Sequence, residues 1–261
     1  MLGTIPFSPS RRDPPGRRPG PGRARRRPVR HDGVRGDGRM AQRRGTAVRP
    51  PTLTALEPAG HGAVPVDEGR YEQVRFDRAD WRGVEAAHVE IDAVAFEDVD
   101  LTAARLPSAR LTDVRLTSSD ATNADLDHGT LLRVEIERTK LLGVDCAGAF
   151  LTDVRFVDCK LTLASFRFAR LRRVEFVDCD LRQATFQGCD LRRTAFAGCE
   201  LGEVEFSHST HETTDLRGSR LIDLRGVDAL RGAIVDSAQL VDLAPSLAAG
   251  VGLRVVDGGE G

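Results

Sequence analysis

The sequence predicts an all-β solenoid of square coils, and three observations carry that prediction. Apolar residues recur at every fifth position from Phe76 to Leu221, thirty units in all, with His211 as the polar exception. No insertion breaks the register. Two residues before each large position stands a small side chain, such as Val74, Ala79, Val99, Ala124, Cys159, Ala184 or Ser219. A helix repeats every 3.6 residues and a strand every 2, so neither yields a spacing of five. A chain that turns after each unit of five does. Four units close a circuit of twenty residues, and circuits stacked at strand spacing, about 4.8 Å, bond backbone to backbone. Thirty units make about seven and a half circuits, hence a rod about 36 Å long. Such a stack is held by nearest neighbours, and its ends need caps.

The units Ala124-Asp125-Leu126, Cys179-Asp180-Leu181, Cys189-Asp190-Leu191 and Cys199-Glu200-Leu201 are quotable examples of the repeat. On these residues the chain resembles the pentapeptide-repeat proteins, whose consensus is Ala-Asp/Asn-Leu-X-X, over residues 72–225. The resemblance implies a right-handed quadrilateral β-helix of about 7–8 coils. Asn is missing from the second position, where Arg, Glu, Asp or Lys commonly stand, which alters the surface and not the architecture. The resemblance also implies partners: some members act on DNA gyrase as mimics of duplex DNA and protect it from quinolones, and some pair through C-terminal elements.

Residues 1–50 hold fourteen Arg against three Asp among many Pro and Gly, too little apolar surface for a core, so a disordered tail is expected. Three roles compete for it: phosphate or acidic-partner binding, a flexible extension, or a product of start-site choice, since Met40 offers a later beginning. Residues 51–73 are expected to form a linker and N-terminal cap; Pro51, Pro58 and Pro65 preclude a long helix, and Tyr71 covers the first circuit with Trp81 beneath it. The repeat fills 74–225. After Leu221 the register is expected to end, and 226–261 to form a helical C-terminal cap. There Leu240, Leu243, Leu247 and Val251 follow helical spacing, with Ser237 as N-cap, Gly250 as stop and Pro245 breaking the segment into two short helices. Their stripe closes the coil or joins two copies, so monomer and homodimer both stay open.

Adding twenty stacks the outward positions into columns. Arg115, Glu135, Arg155 and Glu175 alternate in sign, a ladder that pins register at tenths of a kcal/mol for each pair. Charge is uneven along the rod: residues 71–130 carry thirteen acidic and six basic side chains, residues 131–225 fifteen of each. Candidate partner-binding residues are therefore an acidic end, Asp77, Asp80, Glu90, Asp92, Glu97, Asp98 and Asp100, and a basic spot, Arg172, Arg173, Arg192 and Arg193. Leu132, Leu142, Phe150, Leu163 and Phe168 add outward apolar surface mid-rod.

Catalytic chemistry is not expected. The sequence has no phosphate loop, nucleophile elbow or paired zinc motif. The run His211-Glu212-Thr213-Thr214-Asp215 lacks a second His, and His88, His128 and His208 share a column but stand at least two circuits apart. Cys146, Cys159, Cys179, Cys189 and Cys199 all fall on inward positions and read as core filling, with no metal or other cofactor. No run of eighteen apolar residues occurs and the start is a poor signal peptide, so a cytoplasmic, membrane-free protein is expected. The expected role is a rigid protein-binding or scaffold module. Mimicry of DNA along the whole rod fails on charge, because about 36 Å of duplex presents about twenty-one negative charges. The first three circuits, about 14 Å, need about eight and approach that number, so a partial mimic that binds a type II topoisomerase is the alternative. Direct nucleic-acid binding by the coil is not expected.

Overall fold

The computed structural model describes residues 47–60 and 62–254. The chain divides into two units, residues 1–40 and 41–261, and every described residue lies in the second. Most of the tail expected over residues 1–50 is thus outside the described residues.

The described unit is a parallel-strand solenoid of about eight turns. Its strands are β1 (Glu57–Pro58), β2 (Arg70–Glu72), β3 (Val74–Asp77), β4 (Glu90–Glu97), β5 (Arg110–Thr117), β6 (Thr130–Glu137), β7 (Phe150–Val157), β8 (Arg170–Val177), β9 (Asp190–Arg192), β10 (Ala195–Ala197) and β11 (Thr210–Glu212). All pairings are parallel, and from β2 onward each residue faces the one twenty further along, as in Glu90↔Arg110 and Phe156↔Phe176. β4 to β8 each bend midway at a left-handed residue, such as Asp113 (φ 53) or Asp153 (φ 57), so one strand spans two sides of the square. The other two sides carry single bridges, for example Asp100↔Asp120 and Arg105↔Asp125. A positive φ recurs at every fifth residue, as at Asn123, His128, Arg133 and Arg138. This conformation is unfavourable for side chains with a Cβ. Stacking offsets it, because each corner's backbone bonds to neighbouring circuits, as Asn123 N–H does to Leu142 O.

The interior follows the five-step. Leu161, Phe166, Leu171, Phe176, Leu181 and Phe186 are fully buried. Phe156, Phe176 and Phe196 stack at 4.8 and 4.9 Å, Phe166, Phe186 and Phe206 at 5.0 and 5.4 Å, and the two columns meet edge to face. Each ring contributes roughly 2–3 kcal/mol of burial. Leu, Ile and Ala replace the rings in the earlier circuits, and there a cavity of about 60 Å³ remains, lined by Leu101, Leu116, Ala121 and Leu141 among others. At the open N-terminal end Tyr71 lies 6.3 Å from Trp81, whose Nε1–H donates to Ala63 O.

The C-terminal end differs from expectation in three respects. Pairing continues past Leu221: Glu205 bridges Arg225, and Asp215 bridges Ile234 with the register shortened to nineteen. A left-handed Gly226 and a 3-10 turn at Val227–Ala229 take up the missing residue. Pro245 does not split the following segment, for a single helix α1 runs Gln239–Gly250 through it. Proline removes one N–H and crowds the carbonyl four residues back, a local cost that the helix carries here without ending. Ser237 is not the N-cap; Asp236 and Gln239 instead exchange side-chain-to-backbone bonds at 2.9 and 3.0 Å. Gln239 Nε2 also donates to Leu216 O and Ser219 O, closing backbone acceptors of the last circuit. Of the expected stripe only Leu243 is buried, while Leu240, Leu247 and Val251 stay exposed. No helix among the described residues is long and apolar enough to cross a membrane.

Candidate functional site

The left-handed corner that bends β5 to β8 carries the column Asp113, Arg133, Asp153, Arg173, and Arg193 continues it. A twenty-residue register puts opposite charges on adjacent circuits, and each guanidinium grips the carboxylate before it with two bonds. Arg133 reaches Asp113 at 2.7 and 2.6 Å, and Arg173 reaches Asp153 at 2.6 and 2.7 Å. Both carboxylates are buried against this corner. The Arg133 fork, and after it the Thr52 N–H, holds Asp113 below the ordinary carboxylate pKa. Burial works to raise Asp153, but the Arg173 fork and the Arg49 N–H outweigh it and also leave it lowered.

Those two N–H groups belong to a strap that the sequence did not reveal. Residues 47–56 run in extended form along the outside of the coil before β1 joins the first circuit beside Val74. The strap's Thr52 N–H donates to Asp113 Oδ1 at 2.8 Å, and its Arg49 N–H to Asp153 Oδ1 at 3.4 Å. Thus residues 47–50, the last of the expected disordered tail, are placed on the coil. Pro50-Pro51, which favours extension, is the local signal for it.

Beyond the strap the same side opens into a groove of about 420 Å³ lined by Phe150, Thr152, Arg170, Leu171, Arg172, Asp190 and Arg192. A smaller hollow of about 160 Å³ adjoins it, lined by Arg172, Arg173, Arg192, Arg193 and Glu212. The structure therefore brings the four arginines of the basic spot together, but they are not equivalent. Arg173 is committed to Asp153, and Arg192 bonds Asp190 at 2.9 Å with Glu212 at 3.8 Å. Among the described residues Arg172 and Arg193 have no carboxylate partner. Arg170 lies 5.2 Å over the exposed Phe150 ring. Phe168 is exposed at the next corner, with Arg167 at 5.8 Å from its ring, whereas Leu142 and Leu163 project from a different corner and Leu132 is half-buried.

The acidic end is less concentrated than its composition. Glu90 and Asp92 lie on one side of the square, Asp77 and Glu97 on the next, and Asp80 and Asp100 on a third, with Asp98 at a corner. Arg82 pairs with Asp80 at 2.6 Å and lies 3.5 Å from Asp100; Arg78 pairs with Asp77 and Arg70 with Glu90. Among the described residues Asp92, Glu97 and Asp98 have no ion pair. No cluster of His, Cys, Asp or Glu suited to a metal ion occurs among them either.

The circuit of twenty with two inward positions in each five is matched by two family descriptions. "Pentapeptide repeats (8 copies)" covers residues 96–131, and "Pentapeptide repeat region" covers 130–206. The chain carries a pentapeptide-repeat β-helix. The chain is similar to solved pentapeptide-repeat proteins. HetL of the cyanobacterium Nostoc sp., described as involved in heterocyst differentiation regulation, is 17% identical over 72% of this chain and 92% of its own, with a TM-score of 0.58. Full-length QnrB1, a plasmid-mediated fluoroquinolone resistance protein, is 18% identical over 76% of this chain and 100% of its own, with a TM-score of 0.30. Rfr23 of the cyanobacterium Cyanothece 51142 is 15% identical over 60% and 91%, with a TM-score of 0.23. Of these three, the likeness to HetL bears on the pentapeptide-repeat β-helix, and it bears on the fold alone. No curated protein matches the chain.

Proposed function

We propose that this pentapeptide-repeat protein is a non-catalytic, cytoplasmic binding module that holds another protein along one side of its coil. The observation that supports it is the strap: the Asp113–Asp153 corner already carries an extended segment through backbone N–H bonds. The parallel ladder makes that surface stiff, so little ordering entropy opposes a second chain laid beside the first. The exposed Leu240, Val241 and Leu247 of α1 offer a separate surface on which two copies could pair. The test is photo-crosslinking in extracts of the source cell, with the crosslinker placed at Thr152 or, as a control, at Arg105 on another side. Protein adducts specific to position 152 support the module; equal adducts at both positions, or none, refute it.

A second reading, partial mimicry of duplex DNA at the acidic end, is favoured by Asp92, Glu97 and Asp98, whose charges no ion pair neutralises among the described residues. Purified protein at micromolar concentration would then inhibit supercoiling by a type II topoisomerase, and Glu97→Gln with Asp98→Asn would relieve the inhibition. An unaffected supercoiling rate removes this reading.

A further inference from the structure

We propose that the groove around Phe150, Arg172 and Arg193 binds an extended acidic peptide that runs along the coil axis, end to end with the strap. The inference rests on the protein-binding reading and supplies the chemistry of the partner. The strap sets the geometry. Thr52 and Arg49 are three residues apart and reach carboxylates two circuits apart, so about 10 Å of extended chain matches about 10 Å of axis. The corner alternates Asp113, Arg133, Asp153, Arg173, and there the alternation stops, because Arg193 follows Arg173 with no carboxylate one circuit before it. A chain that continues along it must present carboxylates where the strap presents N–H groups. This protein's own preceding sequence has the wrong charge, with Arg43 and Arg44 nearest and fourteen Arg among its first fifty residues. A partner therefore has to supply the acid.

The two guanidiniums without a carboxylate partner among the described residues fix the spacing. Arg172 and Arg193 stand one circuit up and one residue around the corner from each other, a diagonal of about 6 Å. Alternate side chains of an extended peptide project to the same side at about 6.6 Å, so residues i and i+2 can each place a carboxylate on one arginine. One circuit before Arg170, the exposed Phe150 ring beneath that guanidinium offers an apolar platform for an aromatic or aliphatic neighbour. Asp190 and Glu212 border the same groove, Asp190 one circuit beyond Arg170 and Glu212 one circuit beyond Arg192. A peptide can skip them by turning alternate side chains away, whereas the evenly charged backbone of a nucleic acid has to cross them.

The experiment uses the full chain and an octaglutamate labelled with fluorescein and bearing one p-benzoylphenylalanine. Irradiation is expected to place the adduct on the groove segments 150–152 or 170–172. Arg172→Ala with Arg193→Ala, both exposed and so safe for folding, is expected to weaken binding at least tenfold, whereas Arg105→Ala on another side leaves it unchanged. Adducts confined to the arginine-rich residues 1–46, unchanged affinity in the double variant, or stronger competition from a single-stranded oligonucleotide of equal charge would each overturn the proposal. Crosslinking of a cellular protein at Thr152 together with failure of the peptide would retain the binding module and discard only its acidic ligand.

Discussion

Thr52 donates its backbone N–H to Asp113 Oδ1 at 2.8 Å across 61 residues of sequence, and the same carboxylate takes both bonds of the Arg133 fork. One side chain thereby ties the strap to the coil and neutralises Arg133 of the corner column. Asp113→Ala leaves a half-buried guanidinium without its partner and a strap N–H without its acceptor. The expected loss is about 2 kcal/mol of unfolding free energy. Faster amide exchange at Thr52 is expected alongside a lower Tm. Retained protection at Thr52 would show that the strap is held elsewhere.

Much of the coil could be read directly from residue order, because its interior has room for one large and one small side chain in each five and nothing else. Leu181 and Phe186 lie at the centre for that reason. The charge ladder was legible too, since a register of twenty is enough to set Arg115 and Arg155 on either side of Glu135, and the structure pairs them at 3.3 and 3.7 Å. Three things were not legible. The strap depends on backbone donors, which any residue but proline supplies, so Arg49 and Thr52 leave no periodic trace. The pairing within the basic spot does not show in its own four residues, because the corner column sets it: Arg173 stands twenty after Asp153 and meets it, whereas Arg193 stands twenty after Arg173. The exposure of Leu240 and Leu247 depends on α1 resting on the last circuit through little more than Gln239 and Leu243.

Ala121 is a small residue in a column of large ones, with Leu101 one circuit before it and Leu141 one after. All three line the cavity of about 60 Å³. Ala121→Leu restores the column and fills the space. About 0.8 kcal/mol for each buried methylene, less some strain, gives an expected gain of about 1–2 kcal/mol. A rise in Tm checks it, and a fall would show that the surrounding side chains cannot move apart.

The five thiols are buried among apolar side chains; burial pushes both Cys146 and Cys189 up to about 12, whereas a hydrogen bond with the Cys179 thiol holds Cys199 below the ordinary thiol value and its burial alone keeps reagent away. Only the thiolate reacts with disulfide reagents. Native protein at pH 8 is therefore expected to leave a dithiobis-nitrobenzoate assay silent, and protein in guanidinium chloride to release all five equivalents. Any stoichiometric reaction in the native state would mean that the coil opens locally.

His211 takes the place that Leu151, Leu171 and Leu191 hold in earlier circuits. Its ring meets Phe206 edge-on and Ser209 Oγ at 2.8 Å, and its Nδ1 has no hydrogen-bond partner. Burial lowers its pKa to about 4, so the folded protein keeps it neutral where the unfolded chain, near 6.5, takes up a proton. Above pH 7 both states are neutral and the residue contributes no slope. As pH falls from about 6.5 towards 4 the unfolded state gains the proton first, and stability drops by up to about 1.4 kcal/mol for each pH unit. Asp113 and Asp153, with pKa values below the carboxylate norm, add their own losses only at lower pH. Denaturant titrations at pH 7 and pH 5 should therefore show a loss in the native sequence that His211→Leu abolishes, while the variant also gains about 1–2 kcal/mol at pH 7 from apolar burial. An unchanged difference between the two pH values would place the responsible proton on another group.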